Sequence, residues 1–277
     1  MNTRSAITHM QNPSPVIARI YDRIAERYDL QWSRHVRRPQ QRLTRGLMLQ
    51  PGMRSADLGC GTGVDTLEMS RLSAPGEVIA VDCSQGMLDT VRRRAVAESL
   101  PITTCLQGAE EFIAAAPRAS FDAVTLRFCL GYFDWPTVLS CLPSMLCSGG
   151  RLGILTILSS SAPQAYETYR EMIGDLGLPE FGLTALDSVE QVTQGLEQAG
   201  CEVEDAWIES FRLVFDTGAE LAEWLRESGI ATAKNMPPAS NELLDLVWSY
   251  FGERVEAQRV GNIVPLDFEI AGVIARI

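Results

Sequence analysis

An acid, a thiol and three glycines stand together in Asp57-Leu58-Gly59-Cys60-Gly61-Thr62-Gly63, and a second acid, Asp82, follows the apolar run Val78-Ile79-Ala80-Val81. The first run reads as the end of a buried strand, a glycine-rich turn and a helix start at Val64. Glycines at such a turn give the backbone conformations closed to other residues and let a ligand approach closely. An acid roughly 20 residues downstream is placed to accept hydrogen bonds from ribose hydroxyls. Together these features predict an adenosine-containing cofactor across the first two strands of an α/β sheet. The spacing is G-x-G-x-G. A dinucleotide fingerprint would need glycine at position 64, which is Val64, so a nicotinamide cofactor is disfavoured.

The elements that must hold these residues follow from apolar runs and turn signals. Helical pattern runs from Val16 to Ala25 and near Arg37 to Met48, with Tyr28, Asp29 and Trp32 between them. Pro51-Gly52-Met53 turns the chain into strand one, Ser55 to Leu58. A helix from Val64 to about Leu72 leads through Ala74-Pro75-Gly76 to strand two, Glu77 to Asp82. Ser84 is placed to cap the next helix, where Leu88, Val91 and Ala95 share a face. Strand three (Ile102 to Leu106), a short helix from Glu110 and strand four (Phe121 to Leu126) continue the alternation. Asp134 and Pro136 start a helix that Pro143 should kink and Ser148-Gly149-Gly150 should end, before strand five, Arg151 to Leu158. A helix near Ser188 to Ala199 and strands near Glu202 to Glu209 and Val264 to Ile277 complete the pattern. The fold class is α/β: a Rossmann-like, seven-stranded, mostly parallel sheet with helices on both faces. Stretches 159–187 and 211–262 do not fit the alternation. The second carries helical patterns from Ala219 to Ser228 and Asn241 to Glu256, and both are expected to be helical lid insertions.

The 277 residues and 46% hydrophobic content suffice for a full core, and the net charge of -11 opposes binding to nucleic-acid phosphates. Residues 1 to 14 are polar and read as disordered, with Asn12-Pro13-Ser14-Pro15 at their end. No secretory apolar core is expected in the first 20 residues and no bilayer span anywhere, so the expected location is cytoplasmic. The seven cysteines, at 60, 83, 105, 129, 141, 147 and 201, form no C-x-x-C pair. They read as reduced thiols, with no zinc or other metal site.

Four motifs resemble those of the class I S-adenosylmethionine-dependent methyltransferases, above all the branch acting on ubiquinone, menaquinone and natural products. These are Asp57 to Gly63; Val81-Asp82-Cys83-Ser84-Gln85-Gly86-Met87-Leu88; Phe121-Asp122-Ala123-Val124 leading to Arg127-Phe128; and Leu146-Cys147-Ser148-Gly149-Gly150-Arg151-Leu152. Tyr21-Asp22-Arg23-Ile24-Ala25 and Tyr28-Asp29 resemble the N-terminal helix such enzymes fold over the cofactor, which makes residues 1–50 an N-terminal helical cover and 51–277 the cofactor-binding domain. The resemblance implies S-adenosylmethionine as cofactor and S-adenosylhomocysteine as product. The glycine loop, Gly59, Cys60, Gly61 and Gly63, would contact the methionine part, with Asp57 orienting its amino group. Asp82 would take both ribose hydroxyls, beside Cys83. Met87 would pack on the adenine, Ala109 and Glu110 would lie by its amine, and Arg127 and Phe128 would face the methionine tail. The family often has an acid just before the Ala109 position, where this chain has Gly108. It often has histidines after strand four, where this chain has Gly131-Tyr132.

Of the two histidines, His9 lies in the polar tail and His35 is the one candidate base. Tyr21, Tyr28 and Tyr132 are candidates for orienting an acceptor. The aromatic side chains of the insertions, Tyr166, Tyr169, Phe181, Phe215, Trp224, Trp248, Tyr250 and Phe251 together with Met172, would suit an apolar acceptor: an isoprenoid, polyketide or aromatic metabolite methylated on carbon or oxygen. The partners expected are that small molecule and a second copy of the chain. Two alternatives stay open: cyclisation or rearrangement with the cofactor in an auxiliary role, and a binding module without turnover.

Overall fold

A computed structural model describes residues 15–177, 185–230 and 241–277. The polar run 1–14, with His9, and Phe181 lie outside the described residues.

The first element among the described residues is α1 (Pro15–Ile24), followed by a π-helical turn (Asp29–Ser33) and α2 (Arg37–Gly46). The alternation then runs β1 (Ser55–Leu58), α3 (Val64–Ser73), β2 (Val78–Asp82), α4 (Gln85–Glu98), β3 (Ile102–Leu106), α5 (Ala109–Ala115) and β4 (Phe121–Arg127). It continues through α6 (Trp135–Cys141), β5 (Leu146–Ile157), α7 (Pro163–Asp175), α8 (Val189–Gln198), β6 (Glu202–Phe215), α9 (Gly218–Ser228), α10 (Asn241–Val255) and β7 (Val264–Arg276). The sheet order is β3-β2-β1-β4-β5-β7-β6. β7 runs antiparallel to both its neighbours, and the first five strands are parallel.

All four residues of β1 are buried, as a central parallel strand covered on both faces requires. The chain leaves β1 for β2 on one side and reaches β4 on the other. This order reversal opens a crevice beyond the carboxyl ends of β1, β2 and β4, where ligands of such sheets bind. Leu58, Asp82 and Arg127 end those strands at that crevice.

Three boundaries differ from expectation. The helix after β4 stops at Cys141 and passes into a 3-10 turn (Leu142–Met145), because Pro143 cannot supply the N–H that would continue it. Gly149 and Gly150 therefore lie within β5 and do not end a helix. Gly149 donates its N–H to Ile277 O at 2.8 Å, pairing with the end of the chain. β6 continues to Phe215 because β7 pairs with it along its whole length, so residues 211–215 are strand, and the second insertion begins later.

Among the described residues, no helix is long and apolar enough to cross a membrane. All seven cysteines are free, and no group of three or more His, Cys, Asp or Glu among these residues is placed to hold a metal ion.

Candidate active site

The glycine turn forms because its backbone needs positive φ at three places: +68° at Gly59, +54° at Gly61 and +80° at Gly63. Gly59 and Gly61 border the crevice. Gly63 does not. It is the residue preceding α3, and a Cβ there would come within 2.7 Å of Val91 Cγ2, so its role is packing.

The cleft has two adjoining halves. One is floored by Gly59, Gly61, Asp82, Cys83, Met87 and Ala109 and walled by Ile17, Tyr21, Tyr28, Phe128, Tyr132 and Phe133. The other is bordered by Ser33, Gln40, Asp57, Cys60, Thr62 and Asp65. Arg127, Phe128 and Tyr28 border both. The first half is mainly apolar and aromatic around one carboxylate. The second is crowded with polar groups.

Asp82 is held by the loops on either side of it. Its Oδ2 accepts from Gly61 N–H and its Oδ1 from Ser84 N–H, each at 2.9 Å. A carboxylate has about four acceptor positions, so each oxygen keeps one for a ligand. Burial pushes its pKa up to about 6, against the lowering effect of those two N–H groups. Ser84 also caps α4, accepting from Met87 N–H at 3.2 Å. Met87 is thereby fixed on the first turn, fully buried beside Ile24 and Ala25.

Asp57 lies in a dense buried network. Its Oδ1 accepts from Thr125 Oγ1 (2.7 Å) and Arg127 Nη1 (2.9 Å), and its Oδ2 accepts from Thr66 Oγ1 (2.6 Å). Thr125 and Arg127 reach it because alternate residues of β4 share a face and Thr125 is in register with Asp57. Asp65 stands 3.9 Å from Arg127 Nε and accepts from Gln40 Nε2 at 2.6 Å, and burial pushes its pKa up to about 6.

The N-terminal segment is pinned to both loops. Asp22 Oδ1 accepts from Ser84 Oγ (2.6 Å) and Gly86 N–H (2.8 Å) at the N-terminus of α4, where the helix dipole favours an acid. Asp29 accepts from Ser33, Thr62 and Arg94. Tyr21 and Tyr132 share a hydrogen bond of 2.8 Å between hydroxyls, and Tyr21 meets Tyr28 edge to face. Burial holds all three phenols well above their ordinary pKa, so they stay protonated. Phe128 takes a left-handed backbone (φ +56°) at the end of β4, held by its N–H to Leu155 O and its ring against Trp32. Non-glycine residues in that region persist where the surroundings enforce them, commonly at functional sites.

Thirteen of the sixteen residues expected at the site thus border one cleft. With Gly63, two others fall outside it. His35 is half-buried against Trp224, its Nε2 accepting from Arg34 Nε at 3.0 Å. Burial first, then the Arg34 charge, lowers its pKa. Glu110 is buried in the first turn of α5 but does not border the cleft, although the adjacent Ala109 does. None of the described aromatic side chains of the insertions borders the cleft. Trp224 and Phe251 are buried in a cluster with Trp32, Phe268 and the partly buried Phe211, as the apolar faces of α9 and α10 require, and this cluster reaches the cleft through Tyr28, Trp32 and Phe128. Sequence reasoning missed Gln40, Asp65, Ile17 and Phe133. Ile17 was legible as the i−4 neighbour of Tyr21 on α1. Gln40 gave no local signal.

Residues 56–150 match the family described as Methyltransferase domain. The chain is 31% identical over 156 residues to a demethylmenaquinone methyltransferase of Symbiobacterium thermophilum, a stretch covering 51% of this chain and 61% of that one. It is 34% identical over 176 residues to a demethylmenaquinone methyltransferase of Mycobacterium sp. (strain KMS), covering 61% and 71%. The chain therefore spans less than two thirds of the first of these relatives and somewhat more of the second. Its fold is similar to that of the [4+2]-cyclase SpnF, with a TM-score of 0.57 at 18% identity over 88% of this chain and 82% of that one.

Proposed function

The chain belongs to the class I S-adenosylmethionine-dependent methyltransferase family, and from that premise we propose that it methylates a medium-sized, largely apolar small molecule on carbon or oxygen. The observation that carries the reading is the division of the cleft into an apolar half around Asp82 and a polar half around Asp57 and Arg127. A nucleoside joined to an amino acid has that same division. When bound, the cofactor supplies a sulfonium-activated methyl group for in-line displacement, and the protein supplies position and electrostatics.

In this reading Asp82 receives the ribose hydroxyls through the acceptor positions its backbone partners leave open. Met87, Cys83 and Ala109 pack on the base. Gly59 and Gly61 admit the chain of the cofactor, and Phe128 borders both halves where the reacting carbon would lie. The acceptor lies against Ile17, Tyr21, Tyr132 and Phe133, and the Tyr21–Tyr132 pair, which spends one of its two protons on its own hydrogen bond, can orient it with the other. Holding nucleophile and methyl in line can remove about 7–11 kcal/mol of barrier in favourable cases. The bordering residues include no histidine, and the phenols are held protonated. The acceptor best suited to such a site is an electron-rich carbon or an already acidic hydroxyl, which needs little help from a base. The names of the quinone-methylating relatives point the same way, toward a prenylated aromatic acceptor.

The test is incubation of the purified protein with methyl-labelled S-adenosylmethionine and either demethylmenaquinone or a small-molecule extract of the source organism, read by mass spectrometry. A labelled product is expected, and its fragments locate the methylated atom. An extract component converted to an unlabelled isomer would replace transfer by rearrangement. Failure to bind either S-adenosylmethionine or S-adenosylhomocysteine would refute the reading.

A further inference from the structure

Two buried groups in the polar half of the cleft have hydrogen-bonding capacity that the protein itself does not use. Gln40 spends its Nε2 on Asp65 Oδ2 at 2.6 Å, and its Oε1 receives no donor. Arg127 spends Nη1 on Asp57 and Thr125 and Nη2 on Thr44, and its Nε has no hydrogen-bond acceptor. The nearest carboxylate oxygen noted for Nε, Asp65 Oδ2, is 3.9 Å away. Both residues border the cleft, at 7% and 6% exposure, so bulk water does not readily satisfy them. Native proteins seldom leave such groups unpaired, because an orphaned buried acceptor or donor carries its full desolvation cost.

The orientation of the Gln40 amide is fixed by chemistry. Turning it over would set Oε1 against a carboxylate that only accepts, so Nε2 must face Asp65 and Oε1 must face elsewhere. The residue expected to hold the amino group of the cofactor, Asp57, has its oxygens already engaged by Thr66, Thr125 and Arg127. The polar half therefore offers an unused acceptor and an unused donor side by side, next to an acid that has three of its about four acceptor positions filled. A zwitterion needs that complement: an acceptor for its ammonium and a donor for its carboxylate.

We propose that Gln40 binds the amino-acid end of the cofactor, its Oε1 accepting a hydrogen bond from the α-ammonium group, with Arg127 Nε as the complementary donor toward the α-carboxylate. This rests on the cofactor reading above and deepens it. α2 presents Gln40 to the cleft, and Asp65 of α3 orients it. Asp57 and Thr125 in turn hold the Arg127 guanidinium in place.

The test compares two ligands by isothermal titration calorimetry: S-adenosylhomocysteine and its deaminated analogue, which keeps the nucleoside, sulfur and carboxylate. Wild type should prefer the amino compound. In Gln40→Met, affinity for S-adenosylhomocysteine should fall about 10- to 100-fold, the range for a hydrogen bond to a charged group. Affinity for the deaminated analogue should stay within a factor of two or three of wild type, roughly the noise expected when no contact is lost. Should Gln40→Met not fold, Gln40→Asn withdraws the same oxygen by one methylene while keeping an amide, and the same split is expected. Equal losses for both ligands would reduce Gln40 to a structural support, and no loss for either would remove it from the site. Both results overturn the proposal while leaving the cofactor reading intact. Wild type that binds neither ligand overturns the cofactor reading itself.

Discussion

Replacing Asp82 with asparagine separates what this side chain costs the empty protein from what it gives the cofactor. Burial raises its pKa from 3.8 to about 6, so keeping it ionised at neutral pH costs the fold about 3 kcal/mol. Asparagine removes that cost. It keeps only one acceptor oxygen, however, so either Gly61 N–H or Ser84 N–H loses its 2.9 Å partner, a penalty of about 1–3 kcal/mol. The two effects oppose each other, and the cofactor-free variant should melt close to wild type. Binding has no such compensation. The ribose hydroxyls lose a charged acceptor, and a loss of about 1.5–3 kcal/mol weakens Kd about 10- to 100-fold. The pH dependence has opposite signs for stability and affinity. The folded pKa is raised, so the stability contributed by Asp82 is fully present below about pH 4 and is lost as pH rises through about 6. Affinity instead improves as pH rises through about 6, because the hydroxyls donate to the ionised form. Asp65 borders the same cleft and is also pushed up to about 6, so the ratio of wild-type to variant affinity is the quantity to follow. Calorimetry with S-adenosylhomocysteine between pH 5 and 8 measures it. The ratio should grow through about pH 6 and then level off. A variant that binds as tightly as wild type at pH 7.5 would refute the ribose role, as would a ratio that shrinks with rising pH.

Arg127→Met breaks a buried ion pair by removing one partner and leaves Asp57 buried with only two threonine donors, at a cost of about 3–5 kcal/mol. Scanning calorimetry should show Tm lowered by roughly 6–15 °C, and an unchanged Tm would mean Asp57 is stabilised by other means. Asp29→Ala detaches the π-helical turn from Thr62 and Arg94, so S-adenosylhomocysteine should dissociate roughly 5- to 10-fold faster for the loss of about 1 kcal/mol; stopped-flow release measures this, and an unchanged rate would uncouple the N-terminal segment from the glycine turn. A double-mutant cycle of Tyr21→Phe and Tyr132→Phe in urea should give a coupling of about 1 kcal/mol for their shared hydrogen bond, and additive losses would mean that the bond does not stabilise the fold. All three cleft phenols are held above their ordinary range, so a pH–rate profile should show no phenol ionisation below about pH 10.

The parallel half of the sheet was legible because its signals are local. Ser55 to Leu58 and Ile102 to Leu106 are short segments between turns, and the observed strands have those same bounds. The site residues carried by strand ends and glycine turns were legible for the same reason: Gly59, Gly61, Asp82 and Phe128 sit where the chain must turn. Failures arose where a distant partner decides the outcome. β6 runs on to Phe215 because β7 offers it a ladder, a fact absent from residues 211–215 themselves. Gly63 kept its required backbone but does not border the cleft, and Val91 of α4 fills the space beside it. His35 sits two residues beyond the π-helical turn that reaches the cleft, and the turn directs it toward Trp224 instead. Gln40 was invisible in an arginine-rich helix, since its place at the cleft depends on Asp65 of α3.

The two Tyr-Asp pairs explain why the N-terminal segment belongs to the site. In each, the tyrosine enters the cleft and the following acid grips the loop that flanks it. Tyr21 lies against Tyr132 while Asp22 holds Ser84 and Gly86, next to Asp82. Tyr28 lies over the glycine turn, its Cε1 only 3.6 Å from where a Cβ on Gly61 would stand, while Asp29 holds Thr62. The acceptor wall is thus anchored to the same two loops proposed to hold the nucleoside and the methionine tail. α9 completes the clamp through Glu227, which takes hydrogen bonds from Arg27 and Gln31, and through Trp224, which donates to Gln31 O at 2.8 Å. Loosening either loop should therefore move these phenols. On the proposed function, the quality of the acceptor site would depend on how well these two loops are ordered.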